Sequence, residues 1–417
     1  MSTTLIAQRP VDTCHLPNGM TLLAEPMPWL QSVAFCFLLP SGSCYDPITL
    51  QGLGSMTNEM VQRGCGHRNS RQFTHDLDAL GIDRSFSTST LYSFFGGVGL
   101  SANLEAALAL YTDLLRNPLL PEEQLEEARL VSLQEVLSVE DDPAQKVFEK
   151  LQRKQYPGAL GQPTSGTKET LQAISYNDIV DYYQKGYQPK GTTLSVAGNY
   201  NWPKLKEFFE DHFSDWEVKE RPPVLAEPID YSYDHLEEET SQTHIGLSYD
   251  AVPLSHDNYY RQRAALGVLS DGMSSRLFSN IREKQGLCYT VFANLQALKN
   301  QASIMCYAGT STDRAQRTLD SIFQEVATLR DGINQGELDR FKVRFKSGLI
   351  RQQESSLFRC QALARQWFQL GKLRSIVEIY KIIEELGVQE VNEYLLSNTP
   401  EKFNVVTLGA QQLEVSL

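Results

Sequence analysis

The sequence predicts an α+β fold built twice. Three observations carry this. Strand-period and helix-period segments alternate through the whole chain, paired features recur at a fixed spacing, and a proline- and charge-rich stretch separates the recurring halves. Leu115-Arg116 precede a helical segment containing Leu125-Glu126, and Leu329-Arg330 precede one containing Leu338-Asp339. Ile179 stands before Gly198 much as Val391 stands before Gly409. A period of about half the 417 residues means one duplicated domain, not an array of short repeats. The expected division is an N-terminal domain over 1–216, a linker over 217–242 and a C-terminal domain over 243–417. The linker contains Pro222, Pro223 and Pro228 and an acidic cluster ending at Glu239.

The elements follow in order. Met20 to Ala24 reads as a strand. Ser32 to Leu39 is nearly continuous in apolar residues and is bounded by Pro40-Ser41-Gly42, as a strand buried on both faces should be. Helical spacing marks 52–63 and 71–80. Phe86 to Leu100 alternates and predicts one edge strand. Helices are expected over 103–115 and 121–137, the second with Pro121 in its first turn. Then come a helix over 177–184, a strand over 192–197 and a helix over 203–213. The second half predicts a strand over 244–249, helices over 258–269 and 274–284, and strands over 287–298 and 303–309. Helices over 313–330, 335–353 and 390–396 follow, then a strand over 404–409.

Composition is ordinary for a soluble globular chain, with 41% hydrophobic and 21% charged residues. The net charge of −13 argues against nucleic acid and against an anionic membrane surface. No basic start followed by an apolar run marks a secretory signal, and no stretch approaches the ~20 apolar residues of a membrane span. A cytoplasmic location and no membrane insertion are therefore expected. Seven scattered cysteines without C-x-x-C read as buried free thiols in a reducing compartment.

Standard site motifs are mostly missing. There is no Walker A sequence, no G-x-S-x-G and no H-x-x-E-H; His67 and His75, eight apart, read as a loop and a surface-helix residue. The stretch GLGSMTNEMVQRG over 52–64 nevertheless mixes small polar residues into an apolar helix pattern. It resembles the active-site helix of the pitrilysin/insulinase zinc peptidases, the family that includes the mitochondrial processing peptidase, which reads G-L-A-H-F-L-E-H-M-L-F-K-G. Gly52, Leu53, Met60 and Gly64 match it, and Arg63 replaces its Lys. Ser55, Asn58 and Glu59 stand where the family has His, Glu and His. Zinc chemistry there needs two neutral imidazoles and a carboxylate base, so the resemblance implies a helix that has lost its metal.

Other segments extend the resemblance from about residue 16 to the C-terminus. LQEVLSVEDDPAQKVFEKL over 133–151 is similar to the segment with the third zinc ligand, and Glu135 stands at that ligand. Tyr187-Gln188-Pro189 and Val196-Ala197-Gly198 match family elements. DGMSSRLFSNIREKQGLCYTV over 271–291 closely matches a family signature. Without the resemblance, Arg282 is a cation near a helix C-terminus and Tyr289 the start of a strand. With it, both are expected to reach the substrate backbone, donating to a carbonyl or a developing oxyanion. The family also adds extended peptide to the strand matching Phe86–Leu100. Here Phe86-Ser87-Thr88-Ser89 departs from the family's N-A-x-T, and a plain sheet strand is expected.

The resemblance implies two homologous α+β half-domains, each a mixed or antiparallel sheet packed with helices, as in one half of a peptidase clam shell. It implies a non-catalytic, substrate-binding subunit acting on peptides or unfolded segments. The zinc would lie in a homologous partner subunit of a heterodimer, with no cofactor in this chain. A homodimer in isolation is left open, and it would have no zinc site at all. Two alternatives remain open: a structural or assembly subunit like the core subunits of the cytochrome bc1 complex, and an enzyme with unusual ligands, Glu59 with Glu135.

Overall fold

The computed structural model describes residues 10–415; the first nine residues, part of the stretch read above for a secretory signal, lie outside the described residues. The helices are α1 (Leu53–Val61), α2 (Ser70–Ala79), α3 (Leu104–Arg116), α4 (Leu125–Glu140), α5 (Pro143–Gln155), α6 (Lys168–Ala173) and α7 (Tyr176–Gly186). They continue as α8 (Trp202–Phe213), α9 (Tyr259–Ser270), α10 (Ala315–Ala327), α11 (Gln335–Gln352), α12 (Ser356–Leu370), α13 (Ile376–Glu385) and α14 (Val388–Ser397). Among the described residues none is long and apolar enough to cross a membrane.

The chain forms two compact units. The first takes residues up to Ser138, then Gly158–Ala226 and Arg351–Leu373; the second takes Val139–Pro157, Glu227–Ile350 and the residues from Arg374. The division at 226/227 falls inside the expected linker. The units are not the two halves of the sequence, however. The first unit includes α12 from the second half, and the second includes α5 from the first half.

The sheet of the first unit uses β1 (Asp12–His15), β2 (Thr21–Pro26), β3 (Ser32–Leu39), β6 (Asp83–Thr88), β7 (Ser93–Leu100) and β8 (Thr193–Gly198). A separate two-stranded ladder joins β4 (Gly64–Cys65) to β5 (Arg68–Asn69). Sheet order is β1-β2-β8-β3-β7-β6. Seven of the eight residues of β3 are buried, which explains its continuous apolar run. Its side chains alternate between two cores. Val33, Phe35, Phe37 and Leu39 face a core shared with α1, α3 and α8. Ala34, Cys36 and Leu38 face a smaller cluster closed by Cys360 and Ala364 of α12.

The sheet of the second unit uses β9 (Tyr233–Glu237), β10 (Gln242–Ala251), β11 (Cys288–Ala297), β12 (Ala302–Ser311) and β13 (Asn404–Gly409), in the order β11-β12-β10-β13-β9. Reversed, this is β9-β13-β10-β12-β11, which matches β2-β8-β3-β7-β6 strand for strand. Among the described residues the only parallel pairs, β2 with β8 and β9 with β13, occupy the same place. The duplication read from spacing is therefore a duplication of topology. Helix α5 lies on β10 and β13 so closely that a Cβ on Gly246 would come within 2.5 Å of Val147. Ser248 and Asn404 donate to Gln155 Oε1 at 2.7 and 3.2 Å, satisfying that buried amide.

Three expectations need correction. The segment 86–100 is two antiparallel strands, β6 and β7, because Ser89 closes a turn by accepting and donating hydrogen bonds at Tyr92. The expected linker contains β9, a short, half-buried edge strand whose Tyr-Asp-His-Leu-Glu sequence carries little strand signal. The helix expected over 274–284 is a π-helix over Leu277–Lys284.

Candidate functional site

Helix α1 is set by its N-terminus. Gly52, at φ 90°, caps it, and the Asp46 carboxylate accepts from the N–H groups of Gly52 and Gly54, both at 2.9 Å. A Cβ on Gly52 would meet the Ser165 carbonyl at 2.8 Å, so both the turn and the close approach require glycine. Burial pushes the Asp46 carboxyl up to about 8, against the pull of those two N–H groups and of Arg221.

The exposed side of α1 forms one wall of a cleft of about 390 Å³, with β6 and α4 as the others. Ser55, Asn58, Glu59 and Glu135 all line it, so the structure brings together the residues that the sequence placed at the three zinc-ligand positions (Ser55, Glu59 and Glu135) and at the base position (Asn58). Ser55, Asn58 and Glu59 are already engaged. Ser55 donates to the Thr164 carbonyl at 2.7 Å. Asn58 donates to the Ser87 carbonyl of β6 at 3.3 Å and accepts from Gln62 at 2.9 Å. Glu59 is ion-paired with Arg63 at 3.0 Å, one helical turn away. Burial, and then the charge of Glu59, raise the Glu135 carboxyl above its ordinary value.

Arg282 and Tyr289 lie in the second unit. Arg282 is near the end of the π-helix, and its guanidinium lies 4.6 Å from the Phe278 ring centroid and 4.7 Å from that of Tyr289. Tyr289 is the extra residue of a β-bulge at the start of β11: Cys288 pairs with Thr310 and Thr290 with Gly309, leaving Tyr289 unpaired. The bulge turns it outward, and it is 80% exposed. Among the described residues nothing hydrogen-bonds to the Arg282 guanidinium or the Tyr289 hydroxyl. Two strong donors and an exposed ring thus stand together, unspent.

Two family models match. "Insulinase (Peptidase family M16)" covers residues 25–168, and "Peptidase M16 inactive domain" covers 173–344. The chain belongs to the M16 peptidase family. A Rickettsia felis protein described as an uncharacterized zinc protease is 26% identical over 95% of both chains. A Bacillus subtilis protein described the same way is 27% identical over 91% of this chain and 93% of its own. Among solved structures, a Helicobacter pylori protease gives a TM-score of 0.89 at 19% identity, covering 97% of this chain and all of that one. A Pseudomonas fluorescens M16 inactive domain gives 0.87 at 19% identity, again covering 97% and all of each chain. A chain of Candida albicans complex III2 gives 0.84 at 18%, covering 96% of both.

An M16 zinc site does not fit the residues present here. Zinc takes imidazole, thiolate and carboxylate ligands. The cleft offers a hydroxyl, an amide, a carboxylate paired with Arg63 and one further carboxyl, Glu135, with no imidazole or thiolate. Among the described residues no three His, Cys, Asp or Glu side chains come together as a metal site. Reading the sequence by residue missed Gln62 and Phe278, which support Asn58 and Arg282. Both lie four residues from their partners on a helix, and that spacing was the available signal.

Proposed function

We propose that this M16 chain is the non-catalytic, substrate-binding subunit of a heterodimeric zinc metalloendopeptidase acting on peptides or unfolded segments. Zinc and the catalytic base belong to a homologous partner subunit, and Arg282 and Tyr289 bind substrate main chain. The carrying observation is the exposure of Tyr289 on a bulge beside an Arg282 whose donors have no hydrogen-bond partner among the described residues. A structural pair would be buried or hydrogen-bonded; a substrate pair stands open until a carbonyl arrives. The internal engagement of the α1 cleft supports the loss of catalysis in this chain.

A tagged pull-down from the native source, with the co-purifying chain sequenced, tests this. The expected result is a stoichiometric partner of similar length carrying H-x-x-E-H. In that complex Arg282→Ala or Tyr289→Phe lowers peptidase activity severely while assembly persists. Full activity in both variants refutes the role. The second reading, an assembly subunit without a peptidase role, is favoured only by the fold likeness to the complex III2 chain. Recovery with respiratory subunits would support it.

A further inference from the structure

Two arginines lie six residues apart at one helix and are used in opposite ways. Arg282 spends no hydrogen bond among the described residues. Arg276, immediately before the π-helix, spends four. Its Nε and Nη2 donate to both oxygens of Glu337 at 2.8 and 3.0 Å. Nη2 also donates to the Gly332 carbonyl at 2.8 Å, and Nη1 to the Thr328 carbonyl at 3.3 Å. Arg276 and Glu337 are 18% and 12% exposed. The fork holds Glu337 well charged, lowering its carboxyl below the ordinary value against burial. Glu337 itself accepts from the Asn334 N–H at 2.9 Å at the start of α11. The beginning of the π-helix is thus pinned to the turn between α10 and α11.

The far half of the same helix has ties of its own: Asn280 Nδ2 donates to Glu325 at 2.8 Å, and Gln285 Oε1 accepts from Arg317 at 3.3 Å. A π-helix is rare, because its wide turns pack poorly around the axis, and it persists where its surroundings enforce it. This one sets Phe278 beneath Arg282 and ends where Gln285 donates to the Asn280 carbonyl at 3.2 Å. The strand carrying Tyr289 follows at once. The orientation of Arg282 therefore depends on the register of the π-helix, and the Arg276 fork ties the start of that helix.

We propose that Arg276 and Glu337 are positioning residues for substrate binding. Their bidentate pair holds the π-helix in register, and Phe278 then steers the Arg282 guanidinium toward Tyr289, so that both present donors to one stretch of extended peptide. This rests on the substrate role of Arg282 and Tyr289 proposed above. A planar fork is needed because a lysine at 276 could satisfy one acceptor but not Glu337 and two carbonyls together.

The test uses Arg276→Lys and Glu337→Gln in the full chain, with Phe278→Leu as the ring-removal reference. In the chain alone, the Arg282 side-chain Nε–Hε resonance reads its ring contacts directly. In the complex with the co-purified partner, fluorescein-labelled casein reads function. Expected are a shift of the Arg282 resonance toward its Phe278→Leu position and a rise in KM of roughly 10–100-fold, the scale of a misplacement near 1 Å. Damage that only lowers the folded fraction would reduce kcat and leave KM alone. An unmoved Arg282 resonance in both variants overturns the proposal. So does an unchanged KM in both while Arg282→Ala raises it, and in that case the substrate role stands. If Arg282→Ala itself leaves KM and kcat unchanged, the substrate role fails, and the resonance still decides whether the clamp sets the arginine.

Discussion

Cutting the chain at 226/227 should yield two fragments that do not fold alone. The boundary looks natural in sequence, yet fragment 1–226 lacks α12, which covers one face of its own sheet. Removing α12 uncovers Met27, Leu38 and Phe94 together with Ala34, Cys36 and Ala197. Full burial of a Met, Leu or Phe contributes ~1.5–3 kcal/mol, so the three large side chains alone account for roughly 5–9 kcal/mol, an upper range because unfolded chains are partly compact. A domain's whole stability is about 5–15 kcal/mol. The fragment also loses the Arg359 fork onto buried Glu25, and it carries α5 with Val147 and Leu151 deprived of the sheet they cover. Far-UV circular dichroism, urea unfolding and dye binding to exposed apolar surface read the outcome. The expected result is a non-cooperative, dye-binding fragment that becomes cooperative when 227–417 is co-expressed. A monomeric 1–226 that unfolds cooperatively and binds no dye would falsify the exchange of α5 and α12 as a stability requirement.

Two further outcomes follow from the α1 cleft. Purified chain dialysed against zinc and measured by atomic emission should hold far less than one equivalent; a full equivalent, lost on Glu59→Ala, would restore the unusual-ligand reading. The Glu135 carboxyl is raised in the folded state, so the folded chain binds more protons than the unfolded chain above the ordinary value of 4.5. Its contribution to stability is therefore greatest at low pH and declines as pH rises above that value. Glu135→Gln should flatten that part of the urea-midpoint profile, Glu59→Gln should flatten it less because burial is the larger cause, and an unchanged slope in Glu135→Gln would refute the assignment.

Much of the site was legible because its chemistry is local. Ser55, Asn58 and Glu59 share nine residues of one helix, and no fold can make a hydroxyl and an amide do the work of two imidazoles. Glu135 is distant in sequence, but its place followed from the matched segment around it. The long-range engagement of Ser55 and Asn58 was not legible: their partners, the Thr164 and Ser87 carbonyls, come from remote loops and strands. The bulge at Tyr289 was likewise hidden, since a bulge is a relation between two strands and not a property of one.

The sequence by itself determined the duplication, the doubly buried β3, the loss of the zinc ligands and the candidate pair Arg282 and Tyr289. These rest on residue identity and short-range spacing, which the chain carries wherever it folds. Only the tertiary structure decided that α5 and α12 each complete the sheet of the opposite half, that β9 lies within the apparent linker, and that Arg276 is bound while Arg282 is open. Periodicity reports that a face will be buried. It does not report against what, because an apolar face gains nearly the same free energy on any complementary surface. The choice among those surfaces is made by close fits such as Gly246 beneath Val147 and the Arg276–Glu337 fork, which exist only once distant segments meet.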